Sequence, residues 1–72
     1  MIVKVKSLHN AIAAKHWLIT NIGPQVPAGG SLIEGEGWSL HWNTRDLCYQ
    51  FYLSDEHIDE QYLMLFVIGF TA

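Results

Sequence analysis

The sequence predicts an α+β domain in which two helices pack on one face of a four-stranded antiparallel sheet. Three patterns carry this prediction: alternating apolar residues near the start, two alternating segments joined by a turn in the middle, and helix-compatible segments between them. The chain has 72 residues, of which 50% are hydrophobic and 15% are charged. Such a composition is typical of one ordered domain, here residues 1–72, near the lower size limit for independent folding.

The first strand and the first helix follow from local patterns. Residues 2–7 alternate so that Val3 and Val5 face inward and the two lysines face outward. Residues 8–21 contain three alanines and neither glycine nor proline, and Ser7 can accept a hydrogen bond as the helix N-cap. We therefore expect a helix that ends before the Gly-Pro pair that follows.

The first helix has one apolar stripe and one misplaced tryptophan. The stripe expected to face the sheet comprises Leu8, Ala11, Ile12, Leu18, Ile19 and Ile22. Trp17 falls on the opposite face of the helical wheel. Two interpretations stay open: the following loop covers this ring, or the ring is an anchor for a partner protein.

Residues 23–37 form a segment rich in glycine and proline. It holds five of the six glycines and both prolines, which argues against regular structure through most of it. Long loops are usually functional or mobile, and an ordered loop that covers the sheet is the alternative. Glu34 and Glu36 lie in this segment.

Residues 38–53 predict a β-hairpin. Residues 38–42 and 47–53 alternate, and the Asn, Thr, Arg and Asp between them favour a chain reversal. The inward set is Trp38, Leu40, Trp42, Leu47, Tyr49, Phe51 and Leu53. The outward set is Ser39, His41, Cys48, Gln50 and Tyr52.

The last part of the chain predicts a short helix and a final strand. Ser54 can cap a helix over roughly residues 55–65, and residues 66–70 are β-branched and aromatic, as strands are. The apolar residues 62–65 fit either structure. The resulting order βαββαβ is that of a ferredoxin-like sandwich, in which the last strand is an edge beside the first.

Charge and cysteine content exclude several classes of function. A net charge of −3, with no cluster of lysine and arginine, argues against direct nucleic-acid binding. From the pattern of residues 1–6 we expect no signal peptide, and the apolar run at residues 62–68 is too short to cross a membrane. The single cysteine, Cys48, cannot form an internal disulfide, so we expect a reducing, cytoplasmic location.

No motif predicts catalysis or a cofactor. His57, with the nearby acids Asp55, Asp59 and Glu60, has the residue types of a metal site, but ligands so spaced on one helix diverge. An acidic, solvated helix start, or one that binds a basic surface, is the better interpretation. His41 on the outer sheet face is either part of a polar site or of a solvated face.

Two segments resemble the C-terminal pattern of many small uncharacterised bacteriophage proteins. They are residues 49–54, an aromatic strand, and residues 59–66, where an acidic start leads into Leu-Met-Leu-Phe. This resemblance implies a virus-encoded accessory protein acting in the host cytoplasm. In that class, small acidic domains often bind and block host proteins, including defence nucleases.

These observations predict a non-enzymatic protein-binding domain, specifically a phage-type inhibitor that occludes the surface of a host protein. The expected contacts, for a partner with a basic surface, are Trp17, Glu34, Glu36, Asp55, Glu56, Asp59 and Glu60. One alternative is a self-associating building block, a homodimer paired through the edge strand at residues 66–70. Another is a small-molecule or metal binder at His41 or His57.

Overall fold

Five strands and two helices make up the part of the chain that the computed structural model describes, residues 1–27 and 32–71. In chain order they are β1 (Ile2–Val5), α1 (Leu8–Asn21), β2 (Gln25–Val26), β3 (Ile33–Gly35), β4 (Trp38–Asn43), β5 (Cys48–Leu53) and α2 (Glu60–Phe70). The strands form one antiparallel sheet in the order β1-β5-β4-β3-β2.

The predicted ferredoxin-like βαββαβ sandwich is therefore wrong in strand number and strand order. The expected final strand at residues 66–70 is the second half of α2, so no strand from that region lies beside β1. Instead β1 pairs with β5 and forms an edge of the sheet. The alternative of a homodimer paired through residues 66–70 required an edge strand there, and these residues are helical.

The glycine-rich segment contributes two short strands that the sequence did not predict. Gln25 pairs with Gly35, and Val26 pairs with Glu34, which extends the sheet beyond β4. The prediction of irregular structure was wrong for these residues, whereas residues 28–31 lie outside the described part. A buried contact fixes this region, because the Trp38 indole N–H donates to the Gly23 carbonyl at 3.0 Å.

The predicted hairpin is confirmed, with two corrections at its tip. Trp38, Leu40 and Phe51 are buried on the inner face as expected. Leu47, expected to face inward, takes φ = 53° in the turn and is 67% exposed. Trp42, also expected to face inward, is 45% exposed, and its ring packs on that of Tyr49 with centroids 4.8 Å apart.

Helix α1 has the predicted bounds but a narrower buried stripe. The Ser7 hydroxyl accepts from the Asn10 N–H at 3.3 Å, as expected of an N-cap. Ala11, Ala14 and Leu18 are buried. Leu8 and Ile12, which the wheel placed toward the sheet, are 57% and 48% exposed.

Helix α2 begins later and ends later than predicted. Asp59, not Ser54, is its N-cap, and its carboxylate accepts from the Gln61 N–H at 3.2 Å. Ser54 instead starts a turn, in which the Ser54 carbonyl accepts a hydrogen bond from the N–H of Ile58. The helix continues to Phe70, so residues 62–65, left open between helix and strand, are helical.

Both helices pack on the same face of the sheet. One buried cluster joins α1, α2 and the inner face of the strands: Val3, Val5, Ala11, Ala14, Leu18, Trp38, Leu40, Phe51, Leu53, Ile58 and Phe66. The rings of Phe51 and Phe66, with centroids 5.3 Å apart, connect the interior strand β5 to α2. The opposite face of the sheet carries no helix of the described chain.

Candidate functional site

Helix α2 exposes apolar side chains on the side that faces away from the core. Met64, Leu65 and Ile68 are 57%, 56% and 68% exposed, and we call these three residues the outer face of α2. A surface helix normally carries polar residues there, and a helix that is apolar all round is normally buried. The outer face of α2 is therefore a candidate surface for contact with another molecule.

One flank of α2 packs against α1. Trp17 lies between the helices, with its ring centroid 6.0 Å from Tyr62, 5.9 Å from Phe66 and 6.3 Å from Phe70. The expectation that Trp17 projects from a free helix face is therefore wrong, since its ring is half-buried and supports the packing of α2. Among the described residues, the rings that pack on Trp17 come from α2, a contact that neither of the two interpretations included.

The other flank of α2 borders an open groove of about 410 Å³ beside the start of β1. The groove is lined by Met1, Asp55, Glu60, Leu63, Met64, Val67 and Ile68. Its floor is apolar, and its two carboxylates lie at the end where α2 begins. The Met1 nitrogen lies 3.2 Å from an Asp55 carboxylate oxygen at that end.

Most of the predicted acidic contact residues gather at one end of the sheet. Asp55, Glu56, Asp59 and Glu60 are all exposed and follow the end of β5. Glu36 joins them, because the turn that contains it is held to this segment by a hydrogen bond from the Ser54 N–H to the Gly37 carbonyl at 2.9 Å. We call these five residues the acidic end.

Glu34 does not belong to the acidic end. It lies within β3, opposite Ser39 on β4 and Val26 on β2, and it is half-buried. Alternation places it on the helix-free face of the sheet, the same face as Ser39. The structure therefore separates Glu34 from the other predicted contact residues.

The opposite end of the sheet carries basic side chains. Lys6 follows the end of β1, and Arg45 lies in the turn between β4 and β5. Lys4 donates to the Asp46 carboxylate at 2.6 Å, and this contact raises the pKa of Lys4 above its ordinary value of 10.5. The domain is consequently polarised along its strands, acidic where β5 ends and basic where β1 ends.

The histidines show no geometry that indicates a metal site. No three His, Cys, Asp or Glu side chains converge in the described part of the chain. The ring of His57 packs against Gly37. A Cβ atom added to Gly37 would lie 2.5 Å from this ring. His41 is exposed on the helix-free face, beside a hydrogen bond of 2.9 Å from Asn43 to Gln50. Cys48 is buried and 1% exposed.

The outer face of α2 was not predicted from the sequence. The signal was present, since Gln61, Met64, Leu65 and Ile68 recur at helical spacing. The β-branched and aromatic residues after Leu65 favoured a strand over residues 66–70, which placed Ile68 in a different element from Met64 and Leu65. Helical geometry turns them outward.

Comparison with protein families, curated proteins and solved structures finds no match to this chain. Within the described residues, neither helix has the length and apolar character needed to cross a membrane.

Proposed function

We propose that this chain is a non-enzymatic protein-binding domain that contacts its partner through the outer face of α2 and the adjoining acidic end. The observation that carries the proposal is the exposure of Met64, Leu65 and Ile68, each more than half accessible on a helix that Phe66 anchors in the core. Contiguous apolar surface of this kind marks interaction sites in folded domains.

A partner that completes the burial of these three side chains gains free energy of binding. Full burial of one leucine, isoleucine or methionine side chain stabilises by roughly 1.5 to 3 kcal/mol, so a partner that covers the remaining half of each gains about half of that per residue. Unlike attraction between charges, this gain is not screened by salt. It provides affinity but little selection among partners.

Selection comes from the acidic end. Four exposed carboxylates, those of Asp55, Glu56, Asp59 and Glu60, lie at the N-terminal end of α2. A partner with basic residues beside an apolar patch matches this arrangement, whereas an acidic surface is repelled. Association should be faster at low ionic strength, because charged side chains steer the encounter.

Inhibition of a host protein by surface occlusion, implied by the bacteriophage resemblance, is the specific form of this proposal. A standard interface takes about 800 Å² from each partner. The described surface of this domain is 4775 Å², so one such contact leaves most of it free. A small domain that binds in this way can block a larger surface without any catalytic group.

The test compares three tagged proteins as baits in a bacterial lysate: the wild type, Leu65→Glu and Tyr52→Glu. Tyr52 is the matched control, because it is 54% exposed, close to the 56% of Leu65, but lies on the helix-free sheet face. We expect a partner captured by the wild type and by Tyr52→Glu to be lost with Leu65→Glu. Proteins captured equally by all three baits would contradict the proposal.

A further inference from the structure

We propose that a second copy of this chain is a partner of this surface, joined by antiparallel pairing of the two β1 strands across a two-fold axis. In this dimer the groove flank of α2 packs against the same flank of the second copy. The inference rests on the proposed function, because it uses Met64 and Ile68 of the outer face of α2.

The outer edge of β1 is available for pairing. The nitrogen of Met1 donates to the Leu53 carbonyl at 2.9 Å, and the Leu53 N–H donates to the Met1 carbonyl at 2.8 Å. Met1 therefore forms a hydrogen-bonded pair with β5, and by alternation Val3 and Val5 do the same. The backbone groups of the residues between them, Ile2 and Lys4, point to the edge, where no strand of the described chain lies.

The groove beside this edge has an apolar surface that an added strand would cover. Leu63, Met64, Val67 and Ile68 of α2 lie next to Met1 and form the apolar side of the groove. A strand added to β1 extends the inner sheet face beneath these residues. The other sheet edge, β2, consists of two residues and offers much less backbone for pairing.

The lysines of β1 decide which register is favourable. Lysine on an edge strand commonly prevents pairing, and like charges directly opposite each other are destabilising. Pairing Ile2 with Lys4 of the second copy places the two-fold axis at Val3 and keeps the lysines apart. Val3 then meets its counterpart on the inner face, and each Ile2, which is 58% exposed, is covered by a lysine stem.

This register also matches opposite charges at both ends of the interface. Lys6 of one copy lies one residue beyond Met1 of the other, beside Asp55 and Glu60, which line the same groove as Met1. Lys6 is exposed and makes no ion pair with any described residue. The two-fold axis repeats the contact, so each dimer gains two pairs of opposite charge. A second copy is thus a partner with both the apolar and the basic surface that the site requires.

The first test measures the oligomeric state of the wild type, Lys4→Pro and Lys4→Thr by sedimentation equilibrium. Both substitutions remove the ion pair between Lys4 and Asp46. Proline also removes the outward N–H, a change that edge strands tolerate, whereas threonine keeps this N–H. We expect the wild type and Lys4→Thr to form dimers and Lys4→Pro to be monomeric at the same concentration. Circular dichroism confirms that each variant is folded. A monomeric wild type at millimolar concentration, or a folded Lys4→Pro that still dimerises, would overturn the inference.

The second test exchanges charges between copies. Each single variant, Lys6→Glu or Glu60→Lys, places like charges together at both ends of the dimer interface. We expect each to lower the dimer affinity by about tenfold at low salt. An equimolar mixture of the two variants forms a mixed dimer in which opposite charges meet at both ends. Recovery of wild-type dimer affinity in the mixture supports the geometry, and a mixture no tighter than its components refutes it.

Leu65→Glu separates this inference from the proposed function, because Leu65 does not line the groove beside β1. If the wild type is monomeric but binds a Leu65-dependent partner from the lysate, the inference fails and the proposed function stands. If Lys4→Pro abolishes a dimer and no Leu65-dependent partner is captured, the dimer stands and binding of a separate host protein is refuted.

Discussion

Trp17 and Phe66 pack with their ring centroids 5.9 Å apart, which joins α1 to α2. Phe66 in turn contacts Phe51 on β5, with centroids 5.3 Å apart, and is fully buried. The single Phe66 ring therefore connects both helices to the sheet. Such aromatic contacts contribute about 0.5 to 1.5 kcal/mol beyond the burial of area.

Removing this ring should be costly, while the neighbouring residue should tolerate truncation. Phe66→Ala leaves a cavity at a site with 0% exposure and should lower the free energy of unfolding by about 3 to 5 kcal/mol. Leu65→Ala, at a 56% exposed position in the same helix, should change it by less than about 1 kcal/mol. Urea denaturation followed by circular dichroism measures both. Equal losses at the two positions would contradict the placement of the helix.

Two glycines should respond to alanine in opposite ways. At Gly69 an added Cβ meets nothing within 4 Å, so Gly69→Ala should stabilise the helix by roughly 0.5 to 1 kcal/mol. At Gly35 the same Cβ would lie 1.9 Å from the Trp38 ring, so Gly35→Ala must displace a buried indole and should lower the melting temperature markedly. Thermal unfolding of the two variants tests this. Destabilisation by Gly69→Ala would mean that residue 69 is not at an open helical position.

The elements that the sequence predicted correctly are those specified by local signals. The N-cap at Ser7 and the absence of helix breakers define α1, and strict alternation around a polar turn defines β4 and β5. The error at α2 has a physical cause. A continuous apolar run fits a strand or a helix equally well, and the decision rests on tertiary packing around Phe66, which no local pattern contains.

The candidate site was predicted less well for the same reason. The acids from Asp55 to Glu60 were identified from composition, and the structure does expose them at one end. For Trp17 the helical wheel left two interpretations, cover by the following loop or a partner anchor, and neither included the second helix, which packs against its ring. Ile68 was assigned to a final strand and Met64 to a segment that fits either structure, so the exposed helical face that they share was not predicted.

A buried hydrogen bond supports the glycine-rich segment and can be tested by itself. The Trp38 indole, 3% exposed, donates to the Gly23 carbonyl at 3.0 Å. Trp38→Phe removes the donor and leaves a buried carbonyl unsatisfied, which should cost about 1 to 3 kcal/mol. Trp42→Phe is the control, because Trp42 is 45% exposed and should cost less than about 1 kcal/mol. If both variants unfold at the same urea concentration, the bond to Gly23 does not contribute as the geometry indicates.

The contact between Lys4 and Asp46 predicts a pH effect at the alkaline end. The hydrogen bond to Asp46, together with its negative charge, raises the pKa of Lys4 in the folded chain above 10.5. The protonated lysine is therefore favoured by folding, so its stabilising contribution is complete below pH 10.5 and is lost as the pH rises through the folded value. Asp46→Asn should bring the Lys4 titration, followed by NMR of its side chain, back toward 10.5. Because Lys4 is exposed, the accompanying change in stability should be small and should decrease further with added salt. A Lys4 titration that Asp46→Asn leaves unchanged would show that the two side chains do not pair in solution.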